Sequence, residues 1–197
     1  MLVYVTGVPG SGKSTVCAEL RGRGYDARDA DDGISGWFRR ADGIEVPWTF
    51  RRGNRTPGWY TTYDCRYSVP RVRQLAAQLQ GRLWFLCGYA ANEDEIWHLV
   101  DRAFLLHVDQ ATLLQRIAGR TSNTFGKTPH ELRKELDWHT GDQEHARQRG
   151  MTFLDATRPV TEIVDELLAR CHAQPSLGAS SRPRARAPHG STRPRTR

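Results

Sequence analysis

Eight residues near the start of the chain, Gly7-Val8-Pro9-Gly10-Ser11-Gly12-Lys13-Ser14, have the types and spacing G-x-x-x-x-G-K-[ST]. A chain that wraps a phosphate must aim successive backbone N–H groups inward, along a concave path open mainly to glycine. A helix starting near Lys13 would add the partial positive charge of its N-terminus. The Lys13 ammonium would then reach the outer phosphates of a polyphosphate, and the Ser14 hydroxyl would ligate Mg²⁺. Gly7, Pro9, Gly10, Ser11, Gly12, Lys13, Ser14 and Thr15 are therefore the expected polyphosphate-binding residues. With glycine at about 7% of residues, chance gives this pattern in well under about one chain in a hundred of this length.

Such a loop needs a strand before it and a helix after it. Leu2 to Thr6 is an apolar run that reads as a buried strand, and a helix is expected from about Lys13 to Arg21, ended by Gly22 and Gly24. Further strands are expected at Tyr25 to Asp29, Leu83 to Cys87, Ala103 to Val108 and Thr152 to Leu154. Helical spacing places Val72, Leu75, Ala76 and Leu79 on one face, and further helices at Gln110 to Arg120 and Pro159 to His172. Asn92, with Glu95 three residues on, predicts a capped helix through about Leu99, and Thr128-Pro129 predicts another helix start. Strands alternating with helices imply an α/β domain with a parallel sheet.

The rest of the chain narrows the chemistry. No guanine-reading Asn-Lys-x-Asp run occurs, and the strand ending Phe85-Leu86-Cys87-Gly88 has no terminal carboxylate of the Walker B kind. Asp29-Ala30-Asp31 follows the second strand, and Arg116-Ile117-Ala118-Gly119-Arg120 puts two guanidiniums at i, i+4 on one helix face. Asp155-Ala156-Thr157-Arg158-Pro159 follows the last strand. With these features, residues 1–172 resemble the shikimate-kinase and adenylate-kinase-like branch of the P-loop kinases.

The resemblance implies a three-layer fold whose five-stranded parallel sheet has the order 2-3-1-4-5, flanked by helices. It implies Mg²⁺ and ATP as cofactors and transfer of the γ-phosphoryl group to a small-molecule hydroxyl or phosphate acceptor, a nucleoside or nucleotide among the candidates. By that likeness Asp29 helps to hold Mg²⁺ with Ser14, and Asp31 orients or deprotonates the acceptor hydroxyl, with Asp32 an unranked alternative. Arg116 would stack on adenine and Arg120 would contact phosphates on lid closure. Ala156, Thr157 and Arg158 would form the adenine-reading loop. Lys13, Asp31 and Arg120 are thus the expected catalytic residues. The Gly-Gly-Gly run of shikimate kinases and the Asp-Gly-x-Pro-Arg run of adenylate kinases are both absent, so neither activity is expected as such.

The acceptor-binding segment is expected at about residues 33–69, which are rich in Trp, Tyr and Arg, with Arg39, Arg40 and Arg52 as candidate acceptor contacts. A lid is expected at about residues 119–148, where Lys127 could neutralise transition-state charge. The net charge of +7 lies mostly in residues 174–197, which hold six arginines and no acid and read as a disordered basic tail after a kinase domain at 1–173. A nucleic-acid partner, as for a 5′-end kinase, is therefore the less favoured reading, and a slow ATP-dependent regulator is the third. The four cysteines share no metal-ligand spacing and read as core thiols. No run approaches the roughly 20 apolar residues of a membrane span. The opening Leu2-Val3-Tyr4-Val5 is too short for a signal-peptide core, so a cytoplasmic protein is expected.

Overall fold

The computed structural model describes residues 1–47, 58–121 and 126–173. Its main sheet holds β1 (Leu2–Thr6), β2 (Asp26–Asp29), β6 (Trp84–Cys87), β7 (Arg102–His107) and β8 (Thr152–Asp155). All five run parallel in the order β2-β6-β1-β7-β8, which is the expected 2-3-1-4-5 arrangement. β1 is central and buried at every position, as an unbroken apolar run in a parallel sheet requires.

Alternate residues of the sheet feed two cores, because successive side chains of a strand point to opposite faces. Val3, Val5, Phe85, Cys87, Phe104 and Leu106 face one side, where α1 (Lys13–Gly22), α4 (Gln110–Gly119) and α6 (Val160–Ala173) cover them. Tyr4, Leu86 and Leu105 face the other, under α3 (Val69–Gln78) and the buried pair Ile96 and Trp97. α1 ends as its glycines require: Gly24 takes φ +84°, and the Tyr25 amide returns to the Leu20 carbonyl at 3.0 Å. Cys17, Cys87 and Cys171 are buried thiols and Cys65 is half-buried. None of the described helices is long and apolar enough to cross a membrane.

Two features depart from the sequence reading. The acceptor segment contains a second, antiparallel sheet, β4-β3-β5, built from β3 (Ser35–Arg39), β4 (Glu45–Val46) and β5 (Tyr63–Tyr67), with a short helix α2 (Trp59–Thr62) before β5. The helix expected from Asn92 is instead two 3₁₀ turns, Glu93–Glu95 and Trp97–Leu99. The Asn92 amide is engaged elsewhere. Its Oδ1 accepts from the Tyr67 N–H at 2.7 Å and its Nδ2 donates to the Tyr67 carbonyl at 3.1 Å, so it pins β5 and does not cap a helix. The remaining long helix is α5 (Pro129–Gln148). Trp48, Arg51, Arg52, Arg55, Asn123, Phe125 and the tail after Ala173 lie outside the described residues.

Candidate phosphate-loop site

The loop leaves β1 at the C-terminal edge of the sheet, where parallel α/β folds bind their ligands. Three of its glycines have positive φ: Gly7 at 144°, Gly10 at 97° and Gly12 at 105°. At Gly7 a Cβ would meet Ser11 Oγ at 2.7 Å and the Leu106 carbonyl at 2.8 Å, so both space and dihedral demand glycine there. The Ser11 N–H closes the loop on the Val8 carbonyl at 3.0 Å. Val16, bonded to Gly12, is the first amide of α1 with a backbone acceptor, so the amides of the first turn are open to an anion.

Lys13 curls over the loop, donating to the Gly7 carbonyl at 2.5 Å and the Val8 carbonyl at 3.0 Å. Burial lowers its pKa, and the carboxylates of Glu135, Asp142, Asp31 and Asp29 oppose that. An ammonium facing this set lies between the turn after β2 and α5. Ser11 Oγ is buried with no hydrogen-bond partner among the described residues, an orphaned polar atom that a phosphate oxygen would satisfy. The loop therefore fits a polyphosphate. Ser14 and Thr15 are exposed at the start of α1. No cluster of three or more His, Cys, Asp or Glu suited to a metal occurs among the described residues. Of the two residues expected to hold Mg²⁺, Ser14 lies exposed in the first turn of α1 and Asp29 ends β2.

The turn after β2 separates the two acidic candidates that the sequence left unranked. Asp29 Oδ1 accepts from the Asp31 N–H at 3.0 Å. Asp32 turns back to α1 and pairs with Arg21 at 2.9 Å, whereas Asp31 is among the carboxylates acting on Lys13.

On the other flank, Arg116 joins two loops. Its Nη1 donates to the Ser11 carbonyl at 3.2 Å and its Nη2 to the Ala156 carbonyl at 2.7 Å. Thr157 is folded onto Asp155, whose Oδ1 accepts from its N–H at 2.9 Å and its hydroxyl at 2.6 Å. Arg158 faces α6, pairing with Glu162 at 3.2 Å and Glu166 at 2.5 Å. Arg120 follows the last residue of α4 and is half-buried; burial lowers its pKa against the pull of Glu135 and Glu131. Arg39 pairs with Asp42 at 2.8 Å and Arg40 with Asp64, and neither lines a cavity described below.

α5 crosses the mouth of the site. His139 Nε2 donates to the Val108 carbonyl at 2.7 Å, just past β7, and Glu131 accepts from the Gly126 N–H at 3.2 Å. On the same face Glu135 is fully buried, and neither of its oxygens has a hydrogen-bond partner among the described residues. Burial pushes its carboxyl up to about 8, although Lys13 and Arg120 draw it down. Farther along, burial raises Asp142 to about 6. Between α5 and the end of β6 lies a cavity of about 250 Å³, lined among others by Tyr89, Glu93, Trp138, Asp142 and His145. A wider depression of about 750 Å³ lies between β3 and the start of α3 and includes Arg66 and Arg71.

Sequence reasoning missed Glu135, Asp142, Tyr89 and Trp138. The signal was the spacing of Glu131, Glu135, Trp138 and Asp142 along one helix face. A search for apolar periodicity passes over a buried face made of acids.

No protein-family model matches this chain. No curated protein matches it in sequence either. Solved structures do share its architecture. Shikimate kinase from Acinetobacter baumannii, in complex with shikimate, has a TM-score of 0.58 at 18% identity, covering 86% of this chain and 92% of that one. Deoxyadenosine kinase from M. mycoides with bound dATP has a TM-score of 0.55 at 15% identity, covering 88% and 100%. A gluconokinase from Sinorhizobium meliloti 1021 has a TM-score of 0.50 at 21% identity, covering 85% and 89%. At these identities the likeness is one of fold: this chain has the fold of P-loop small-molecule kinases.

Proposed function

We propose that this chain transfers the γ-phosphoryl group of ATP to a hydroxyl of a small molecule. The observation that carries the reading is the loop itself, where glycines at positive φ, open amides at a helix start and the half-buried Lys13 ammonium converge at the sheet edge. The kinase fold, shared with enzymes acting on unlike acceptors, supports the reaction class and leaves the acceptor open.

In this reading the loop amides and Lys13 hold the β- and γ-phosphates. Arg116, tied to both Ser11 and Ala156, fixes the phosphate loop relative to the 156–158 turn that would border the adenine. Magnesium, when bound, would neutralise charge on the β- and γ-oxygens, with Ser14 and Asp29 as its protein-side contacts. Asp31 orients the acceptor hydroxyl and takes its proton as the oxygen–phosphorus bond forms and the bond to the β-bridging oxygen breaks. Arg120 and Lys13 stabilise the charge that develops on the transferring group. Segment 33–69 would shape the acceptor side, and 119–148, carrying α5, would close over it to expel water.

The test is label transfer from γ-labelled ATP to a panel of nucleosides, nucleotides, sugars and oligonucleotides, with Lys13→Ala as control. The reading expects a labelled small product with the parent chain and a loss of at least about 100-fold with the variant. Label on oligonucleotide 5′ ends alone, or nucleotide binding with no acceptor labelled, would replace it with one of the other readings.

A further inference from the structure

The cavity between α5 and the end of β6 selects by charge. Its titratable lining is Tyr89, Glu93, Asp94, Asp137, Asp142 and His145, with no lysine or arginine among its walls. Two of the four carboxylates already have cations. Glu93 is 2.5 Å from His145 Nε2 and 3.7 Å from Arg149, and Arg149 also pairs with Asp94. Asp137 and Asp142 form no ion pair among the described residues. The cavity lies beside the strand that carries the phosphate loop: Tyr89 in its wall follows Gly88, whose N–H donates to the Val5 carbonyl near the end of β1 at 3.0 Å.

Its other wall is aromatic. The Tyr89 and Trp138 rings lie 6.3 Å apart, and Tyr60 meets Trp138 edge-on at 5.4 Å. Tyr60 in turn contacts Trp37 at 6.0 Å, which packs on Trp59 at 5.8 Å, so the aromatic residues of the second sheet buttress this wall. Lys134 Nζ lies 5.6 Å from the centre of the Trp138 ring, so this wall already receives one cation, and Asp137 and Asp142 beside it favour an organic one in the cavity. The volume is a little below the usual ligand range of about 300–1,000 Å³, which suits a compound of roughly monosaccharide size.

We infer that the acceptor is a small alcohol carrying an ammonium group, lodged against Trp138 and Tyr89 with its cation paired to Asp142 and its hydroxyl directed toward Lys13 and Asp31. This rests on the kinase reading above and narrows it. An acceptor bearing a carboxylate or phosphate would set its charge against Asp137 and Asp142. The depression containing Arg66 and Arg71 also holds Glu45 and Glu95, the latter paired with Arg66 at 2.7 Å, and no residue of α5 lines it.

The experiment offers the full chain, with Mg·ATP at pH 7, three size-matched sets of hydroxyl compounds: amino sugars and aminocyclitols, neutral sugars and cyclitols, and sugar acids and phosphates. ADP release and labelled product report turnover, and a fluorescent ATP analogue reports nucleotide binding. The expected result is a kcat/KM at least about tenfold higher for the best cationic compound than for its neutral counterpart. Asp142→Asn should bring that ratio to within about threefold while nucleotide binding persists. Preference for neutral or anionic compounds, turnover of no cationic compound, or an unchanged ratio in Asp142→Asn each overturns the inference. Transfer to a neutral or anionic acceptor would leave the kinase reading standing. Absence of nucleotide binding together with absence of transfer would remove that reading as well.

Discussion

Replacing Glu135 with glutamine keeps the shape of a fully buried side chain and removes its capacity to carry charge. In the folded chain burial lifts this carboxyl from 4.5 to about 8, against the attraction of Lys13 and Arg120. Between those values the folded state holds a proton that the unfolded state has released. The stabilisation from this group is therefore fully present below about pH 4.5 and is lost as pH rises through about 8. At about 1.4 kcal/mol per tenfold change in proton affinity the loss has a ceiling of about 5 kcal/mol, which relaxation and water entry reduce to about 1–3 kcal/mol. Asp142 loses stability in the same direction but over a lower window, from 3.8 to about 6, so the variant isolates Glu135. Urea unfolding of parent and Glu135→Gln at pH 5 and pH 9 measures the effect. The two should agree within about 1 kcal/mol at pH 5, and the glutamine form should be the more stable by about 1–3 kcal/mol at pH 9. A gap that does not change with pH would refute the reasoning. A glutamine form less stable at pH 9 would also refute it, because it would mean that the ionised carboxylate is held productively by Lys13 and Arg120.

The other variants probe the reaction. Asp31→Asn should lower kcat by about 100-fold or more, the loss typical of a missing general base, while KM for ATP moves little. The loss in Asp32→Asn, whose carboxylate pairs with Arg21, should be at least about tenfold smaller; equal losses would shift the acceptor role between the two. Arg116→Ala should weaken ATP binding by about tenfold or more, and Arg116→Lys should not restore it, because one ammonium cannot bridge the Ser11 and Ala156 carbonyls as the planar fork does. Equilibrium titration with an ATP analogue reads both, and full rescue by lysine would remove the bridging role.

Local chemistry was legible in the sequence and distant pairing was not. The glycines of the phosphate loop announce their own geometry, because φ values such as those of Gly7, Gly10 and Gly12 are open to few other residues. β1, β6 and β7 are short apolar runs that read as buried strands, whereas β2 has one buried residue, and the order of the sheet came with the family resemblance. Asp29 ends β2, as the sequence reading placed it, and Asp31 lies two residues on. By contrast, Arg40 finds Asp64 only through the register of β3 against β5, which sets Phe38 opposite Asp64. The Asn92 amide bonds the backbone of Tyr67, 25 residues away, and so leaves the helix it was expected to cap as two 3₁₀ turns. The buried face of α5 escapes pattern reading for a different reason. Its buried positions include Glu131 and Glu135, side chains that pattern reading assigns to solvent.

Calorimetric titration of the parent chain and of Lys13→Ala with a non-hydrolysable ATP analogue and Mg²⁺ bears most directly on the phosphate loop as the seat of function. The parent should take up one equivalent with a dissociation constant in the range of about 1 µM to 1 mM, and the variant, still folded by circular dichroism, should bind at least about 100-fold more weakly. No heat of binding to the parent, or equal affinity in the two proteins, would contradict the account.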